Sequence, residues 1–159
     1  MKILLILLMF FSSLAFSEDF NLICEGERKV RNLSSKEFNV TNFESVLLKI
    51  NKNSMDYIGL NSGRSYFLSN REYTAPKRQP HEDIKITEQY EYSTKKIRAS
   101  QTIADSGNSE ESSISLFSLD VNLLTGELNE TEIIRNKQTN AKSISNNFQA
   151  ICEREDKLY

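Results

Sequence analysis

The sequence predicts an all-β fold: an antiparallel meander of about nine strands, closed as an up-and-down barrel or a strongly curled sheet, with a disulfide joining the first and last strands. A β-sandwich is the alternative. Three observations carry this. Apolar residues recur at every second position over most of the chain, with no helical pattern between them and therefore no βαβ unit. Short clusters rich in Asn, Ser, Thr and Gly separate these runs, as hairpin turns require. The two cysteines, Cys24 and Cys152, sit on alternating segments at opposite ends of the chain, in the rows Phe20-Leu22-Cys24 and Ile144-Asn146-Phe148-Ala150-Cys152. A meander whose ends are tied together closes most simply on itself, because closure removes exposed strand edges.

Before the first strand, Met1 to Ser17 has a basic start at Lys2, an apolar run from Ile3 to Phe11 and small residues in Ala15-Phe16-Ser17. This is the pattern of a cleaved secretory signal, leaving residues 18–159 as one β-domain. The run is shorter than the roughly 20 residues needed to span a bilayer, and no later stretch approaches that length. Export to the periplasm or the extracellular space follows, and in such an oxidising compartment two cysteines pair with each other.

The first strand is expected to end near Gly26. From Glu27 to Phe43 neither period fits, which leaves a short helix or an irregular strand. Val46-Leu48-Ile50, the polar cluster Asn51 to Ser54 and the return over Met55 to Leu60 form a hairpin. After Asn61 to Arg64, with Gly63 suited to a positive φ, a strand resumes at Ser65 with Tyr66 and Leu68 on one face and an extension to Tyr73. Thr74 to Glu82 holds both prolines, Pro76 and Pro80, and reads as a loop.

Beyond it Ile84, Ile86, Tyr90 and Tyr92 share a face that only Glu88 interrupts. A turn at Ser93 to Lys96 leads to Ile97, Ala99 and Ile103. Asp105 to Ser113 has no apolar residue and reads as a loop. Ile114 to Leu123 and Glu127 to Ile134 are the arms of a hairpin with Gly126 at its left-handed position, and Arg135 to Asn140 links to the last strand.

Leu22-Ile23-Cys24-Glu25-Gly26, Leu123-Leu124-Thr125-Gly126-Glu127-Leu128 and Ala150-Ile151-Cys152-Glu153 resemble the layout of small exported bacterial proteins of unknown function. Those have a signal peptide, an early Cys-x-Gly, a Thr-Gly hairpin and a terminal Cys-Glu strand. The resemblance implies a bacterial, exported protein, and brings no activity and no site.

Composition excludes more than it assigns. A net charge of −2 with both signs interspersed does not suit nucleic acid, which calls for a basic surface. Zinc takes several Cys or His ligands; here one histidine stands beside two cysteines expected to be oxidised. Asp105, Asn108, Glu110 and Glu111 put oxygen ligands in one loop but lack EF-hand spacing. Asn32-Leu33-Ser34, Asn39-Val40-Thr41 and Asn129-Glu130-Thr131 match the glycosylation pattern, as chance provides in a chain this rich in Asn and Ser. No cofactor motif, and no Gly-x-Ser-x-Gly elbow to accompany His81, is present.

Two candidate sites remain. Lys77, Arg78 and His81 could form an anion-binding loop, against the simpler reading of a solvated loop. Ile86, Tyr90 and Tyr92, part of a group with Tyr57, Tyr66 and Tyr73, could line a ligand cavity, although tyrosine also favours strands for packing reasons alone. The functional expectation is a non-enzymatic binding domain for a small apolar ligand or a protein partner. A hydrolase or lyase built from scattered carboxylates and tyrosines is one alternative, and a structural envelope component another.

Overall fold

The computed structural model describes residues 19–32, 39–76, 83–105 and 113–155. They form ten strands: β1 (Phe20–Asn32), β2 (Asn39–Ile50), β3 (Ser54–Gly59), β4 (Ser65–Ser69), β5 (Arg71–Pro76), β6 (Asp83–Tyr92), β7 (Lys96–Asp105), β8 (Ser113–Asn122), β9 (Glu127–Asn136) and β10 (Lys142–Arg154). One antiparallel sheet contains them all, in the order β4-β3-β2-β1-β10-β9-β8-β7-β6-β5. Chain neighbours are sheet neighbours throughout, with one exception and one added pair. β1 pairs with β10, and β4 and β5, consecutive in the chain, stand at the two ends of the sheet. The result is a nearly closed, barrel-like sheet, as the alternation and the paired ends predict.

The segment 65–76 closes it. Its first half pairs with β3 and its second half with β6, so one stretch of backbone touches both ends of the sheet. At the change of partner, the Asn70 side chain takes the place of a strand. Its amide nitrogen donates to the Tyr90 carbonyl at 3.0 Å, and its oxygen accepts from the Tyr90 N–H at 2.8 Å. The side-chain period slips here: Leu68 is buried in the interior, and Arg71, an odd number of residues on, reaches the buried Glu88 opposite it.

Cys24 and Cys152 stand directly opposite on β1 and β10, with Cα atoms 3.9 Å apart, and are disulfide-bonded across 128 residues of sequence. At Gly26, two residues on, the same two strands again leave no room for a side chain. A Cβ there would lie 1.9 Å from the Gln149 carbonyl oxygen and 2.5 Å from the Ala150 Cα. A glycine inside a strand thus allows a tight bend where the sheet curls. Gly26→Ala is expected to destabilise the fold by about 3 kcal/mol through overpacking, measured as a lower urea midpoint; an unchanged midpoint would show that the two backbones can part without cost.

Three turns share one device. Asn51, Asn122 and Asn136 each accept, through the side-chain oxygen, hydrogen bonds from backbone N–H groups two and three residues on. This is the Asx-turn chemistry that favours asparagine at strand ends. Gly63 and Gly126 adopt the expected positive φ of 67° and 75°.

Three sequence expectations need correction. β1 continues past Gly26 to Asn32, and β2 begins at Asn39, so residues 27–32 and 39–43 are strand, not helix. Their apolar period is hidden because Arg28 and Glu44 occupy inward positions. The strand starting at Ser65 changes partner at Asn70 instead of running on as one element. Thr74 to Pro76 belongs to β5, not to a loop; as the last strand of the sheet, β5 can tolerate a proline. The strands number ten among the described residues, in keeping with the expected meander of about nine. Residues 1–17, assigned above to a signal peptide, lie outside the described residues.

Candidate functional site

Inward positions in the middle of the barrel are not all apolar. Arg28 of β1, Glu44 of β2, Glu130 of β9 and Asn146 of β10 are buried together with Tyr57 of β3. Arg28 Nε donates to Glu44 Oε2 at 2.6 Å. Its Nη1 donates to Glu130 Oε1 at 2.5 Å and to Asn146 Oδ1 at 3.1 Å, and its Nη2 to the Tyr57 hydroxyl at 2.7 Å and to Glu130 Oε2 at 3.2 Å. The Tyr57 hydroxyl in turn donates to Glu130 Oε2 at 2.6 Å. The guanidinium also lies 4.6 Å from the centroid of the Phe148 ring.

A guanidinium has five N–H donors, and each of these five contacts uses one. The network is complete, so it organises the interior and leaves Arg28 no donor for a substrate. Burial alone would lower the Arg28 pKa, but the hydrogen bonds and charge of Glu130, with help from Glu44, raise it overall. A second ion pair lies nearer the seam. Glu88, the residue that interrupts the apolar row of β6, is buried; it is bonded by Arg71 from the surface side and by Gln101 Nε2 at 2.8 Å. Arg71 stacks against both Phe67 and Tyr73.

Three tyrosines are held protonated. Burial, reinforced by Glu130, pushes the Tyr57 phenol well above its ordinary value. Burial, reinforced by Glu132, raises Tyr66, and burial, reinforced by Tyr92, raises Tyr90. An acid whose pKa is raised by folding adds stability that is whole below its unfolded value and is lost as pH rises above it. Stability is therefore expected to fall from about pH 10 upward, and an absorbance titration should find Tyr57, Tyr66 and Tyr90 ionising only as the protein unfolds. Titration of all the tyrosines near pH 10 in the folded state would contradict it.

The candidate ligand-lining residues share the inward face of β6 but not one cavity. Tyr90 is buried and plugs the barrel, its hydroxyl donating to the Asn51 carbonyl at 2.7 Å. Ile86 lies toward the end away from the disulfide, in a cross-strand row with Ile103, Ile134 and Ile144 that is only half-buried. Tyr92 stands at the disulfide end, where Phe20 faces it across the mouth with ring centroids 6.5 Å apart.

Here a cleft of about 480 Å³ opens, with apolar walls from Phe20, Leu22, Tyr92, Val121, Leu123 and Leu124 and polar groups from Thr94, Asn122 and Arg154. Cys152 forms part of its wall, and the disulfide ties together the neighbouring strands β1 and β10 that border the cleft. Arg154 sits 4.8 Å from the centroid of the Phe20 ring. The proposed anion-binding residues Lys77, Arg78 and His81 lie outside the described residues, as do Asn108, Glu110 and Glu111.

Sequence reasoning missed the Arg28 cluster and the role of Phe20 and Leu124. Charged residues at inward positions of several strands at once were the available signal for the first. The second depends on β1 and β6 facing one another across the barrel, which pairing alone does not reveal. Among the described residues no group of three or more His, Cys, Asp or Glu is placed to hold a metal ion, and no helix is long and apolar enough to cross a membrane. The chain matches no family of known proteins, no curated protein and no solved structure.

Proposed function

We propose that the protein is a non-catalytic, exported binding domain that takes a small apolar or aromatic ligand at the disulfide end of its barrel. The observation that carries this reading is the cleft of about 480 Å³ between Phe20, Leu22, Tyr92, Val121, Leu123 and Leu124. Its volume lies within the range of about 300–1,000 Å³ of small-molecule sites, and it sets apolar walls beside polar groups of Thr94, Asn122 and Arg154. Leu124 is 72% exposed and Tyr92 38%, so the walls hold apolar surface that a ligand would remove from water. The carboxylates Glu44 and Glu130 and the Tyr57 phenol, clustered in the interior, are buried and committed to Arg28. The disulfide suits an oxidising compartment, periplasmic or extracellular.

An environment-sensitive anilinonaphthalene dye serves as the probe. Saturable binding is expected, weakened about tenfold by Leu124→Glu or Tyr92→Ser, both at exposed positions where the fold should survive. Dye binding that is absent, or unaffected by either substitution, would remove the cleft as the binding site.

A further inference from the structure

The outer face of the sheet carries a second feature, separate from the cleft. Inward-facing Leu22, Cys24, Val46, Leu48 and Tyr57 place their chain neighbours Ile23, Leu47 and Ile58 outside. Register sets Ile23 opposite Leu47, and Leu47 opposite Ile58, across β1, β2 and β3. Ile58 lies opposite Ser65, so Phe67 of β4 is its diagonal neighbour; Ile23 lies opposite Glu153, so Ile151 of β10 is diagonal to it on the other side. An apolar stripe therefore crosses five strands. Its ends are open to water, Phe67 at 47% and Ile151 at 56% exposure, and Phe43 at 66% and Leu60 at 55% widen it beside Ser45. Ile23, Leu47 and Ile58, in its middle, are half-buried, and apolar surface of this continuity on an outer face marks an interaction site.

Direction and charge define the partner. The stripe runs across the strands, so an extended peptide pairing with an edge, which runs along them, would not follow it. Five strands span roughly 20 Å, the length of about 13 residues of α-helix, whose apolar side chains recur on one face at i, i+3, i+4 and i+7. At the β10 end Ile151 stands between Glu25 of β1 and Glu127 of β9, with Glu153 next along its own strand face. At the other end Asp56 and Lys49 face each other, and Arg71 lies over Phe67. The β10 end of the stripe is thus its acidic end, which suits a cationic partner there.

We propose that this stripe docks a basic amphipathic helix of another protein, its apolar face on Ile23, Leu47 and Ile58 and its lysines or arginines against Glu25, Glu127 and Glu153. The probes are two synthetic helical peptides with the same leucine pattern, one filled with lysine and one with glutamate, titrated calorimetrically into the purified domain. The lysine peptide should bind, more weakly as salt is raised, and Ile151→Lys should weaken it about tenfold, while Thr74→Lys on the exposed side of β5 should not. Equal binding of the glutamate peptide, binding indifferent to Ile151→Lys, no binding of the lysine peptide, or a concentration-dependent dimer that Ile151→Lys dissociates would each overturn it.

Discussion

Cys152→Ala should lower the melting temperature by about 15 °C. The bond it removes closes a loop of 128 residues. In the chain-entropy account such a closure contributes about 5 kcal/mol, as an upper figure because denatured chains retain some structure. Both sulfurs are held in the barrel interior, where Cys24 is fully buried and Cys152 is 8% exposed. Truncation therefore also leaves a free thiol and a small void beside it. The measurement is a thermal scan of both proteins under non-reducing conditions, with reduced wild type alongside. A shift of only a degree or two would mean that β1 and β10 hold one another by strand pairing alone.

Arg28→Met should cost about 3–5 kcal/mol, because it leaves Glu44 and Glu130 buried without their cation. The lost cation–π contact with Phe148 adds to this. The informative comparison is the variant that also carries Glu44→Gln and Glu130→Gln. Removing the whole set of charges is often close to neutral, whereas stranding part of it is not. Urea midpoints of the three proteins should therefore rank wild type above the triple variant, and the triple variant above Arg28→Met. If Arg28→Met were as stable as wild type, the two carboxylates would have found water or protons, and the network would not organise the core.

The hairpins were legible because their signals are local. Ser93 to Lys96, Asn122 to Gly126 and Asn51 to Ser54 form their turns through contacts within a few residues, and the sequence shows all the participants. The pairing of β1 with β10 was legible for a different reason: two cysteines left a single partner for each. What stayed hidden depends on contacts distant in sequence. Arg28 and Glu130 are 102 residues apart, and Arg28, an inward charge among the outward charges of β1, obscures the period that would have revealed β1 beyond Gly26. Glu88 did stand out as an acid in an apolar row, and the β6–β7 hairpin sets Gln101 opposite it, but its partner Arg71 is fixed by the change of pairing at Asn70, which no local pattern marks. Of the three β6 residues singled out, one plugs the barrel and the other two point toward opposite ends. A shared face in a strand of this length does not amount to a shared cavity.

The disulfide lies where the first and last strands meet, and the barrel's seam lies far along the chain, at Asn70. From Cys24 to Cys152 the backbone is thus a covalent ring, in which a cut at the exposed turn around Gly63 would produce two pieces still tethered by sulfur. Such a molecule tolerates a nick as a single body, and comes apart only when a reductant reaches the bond.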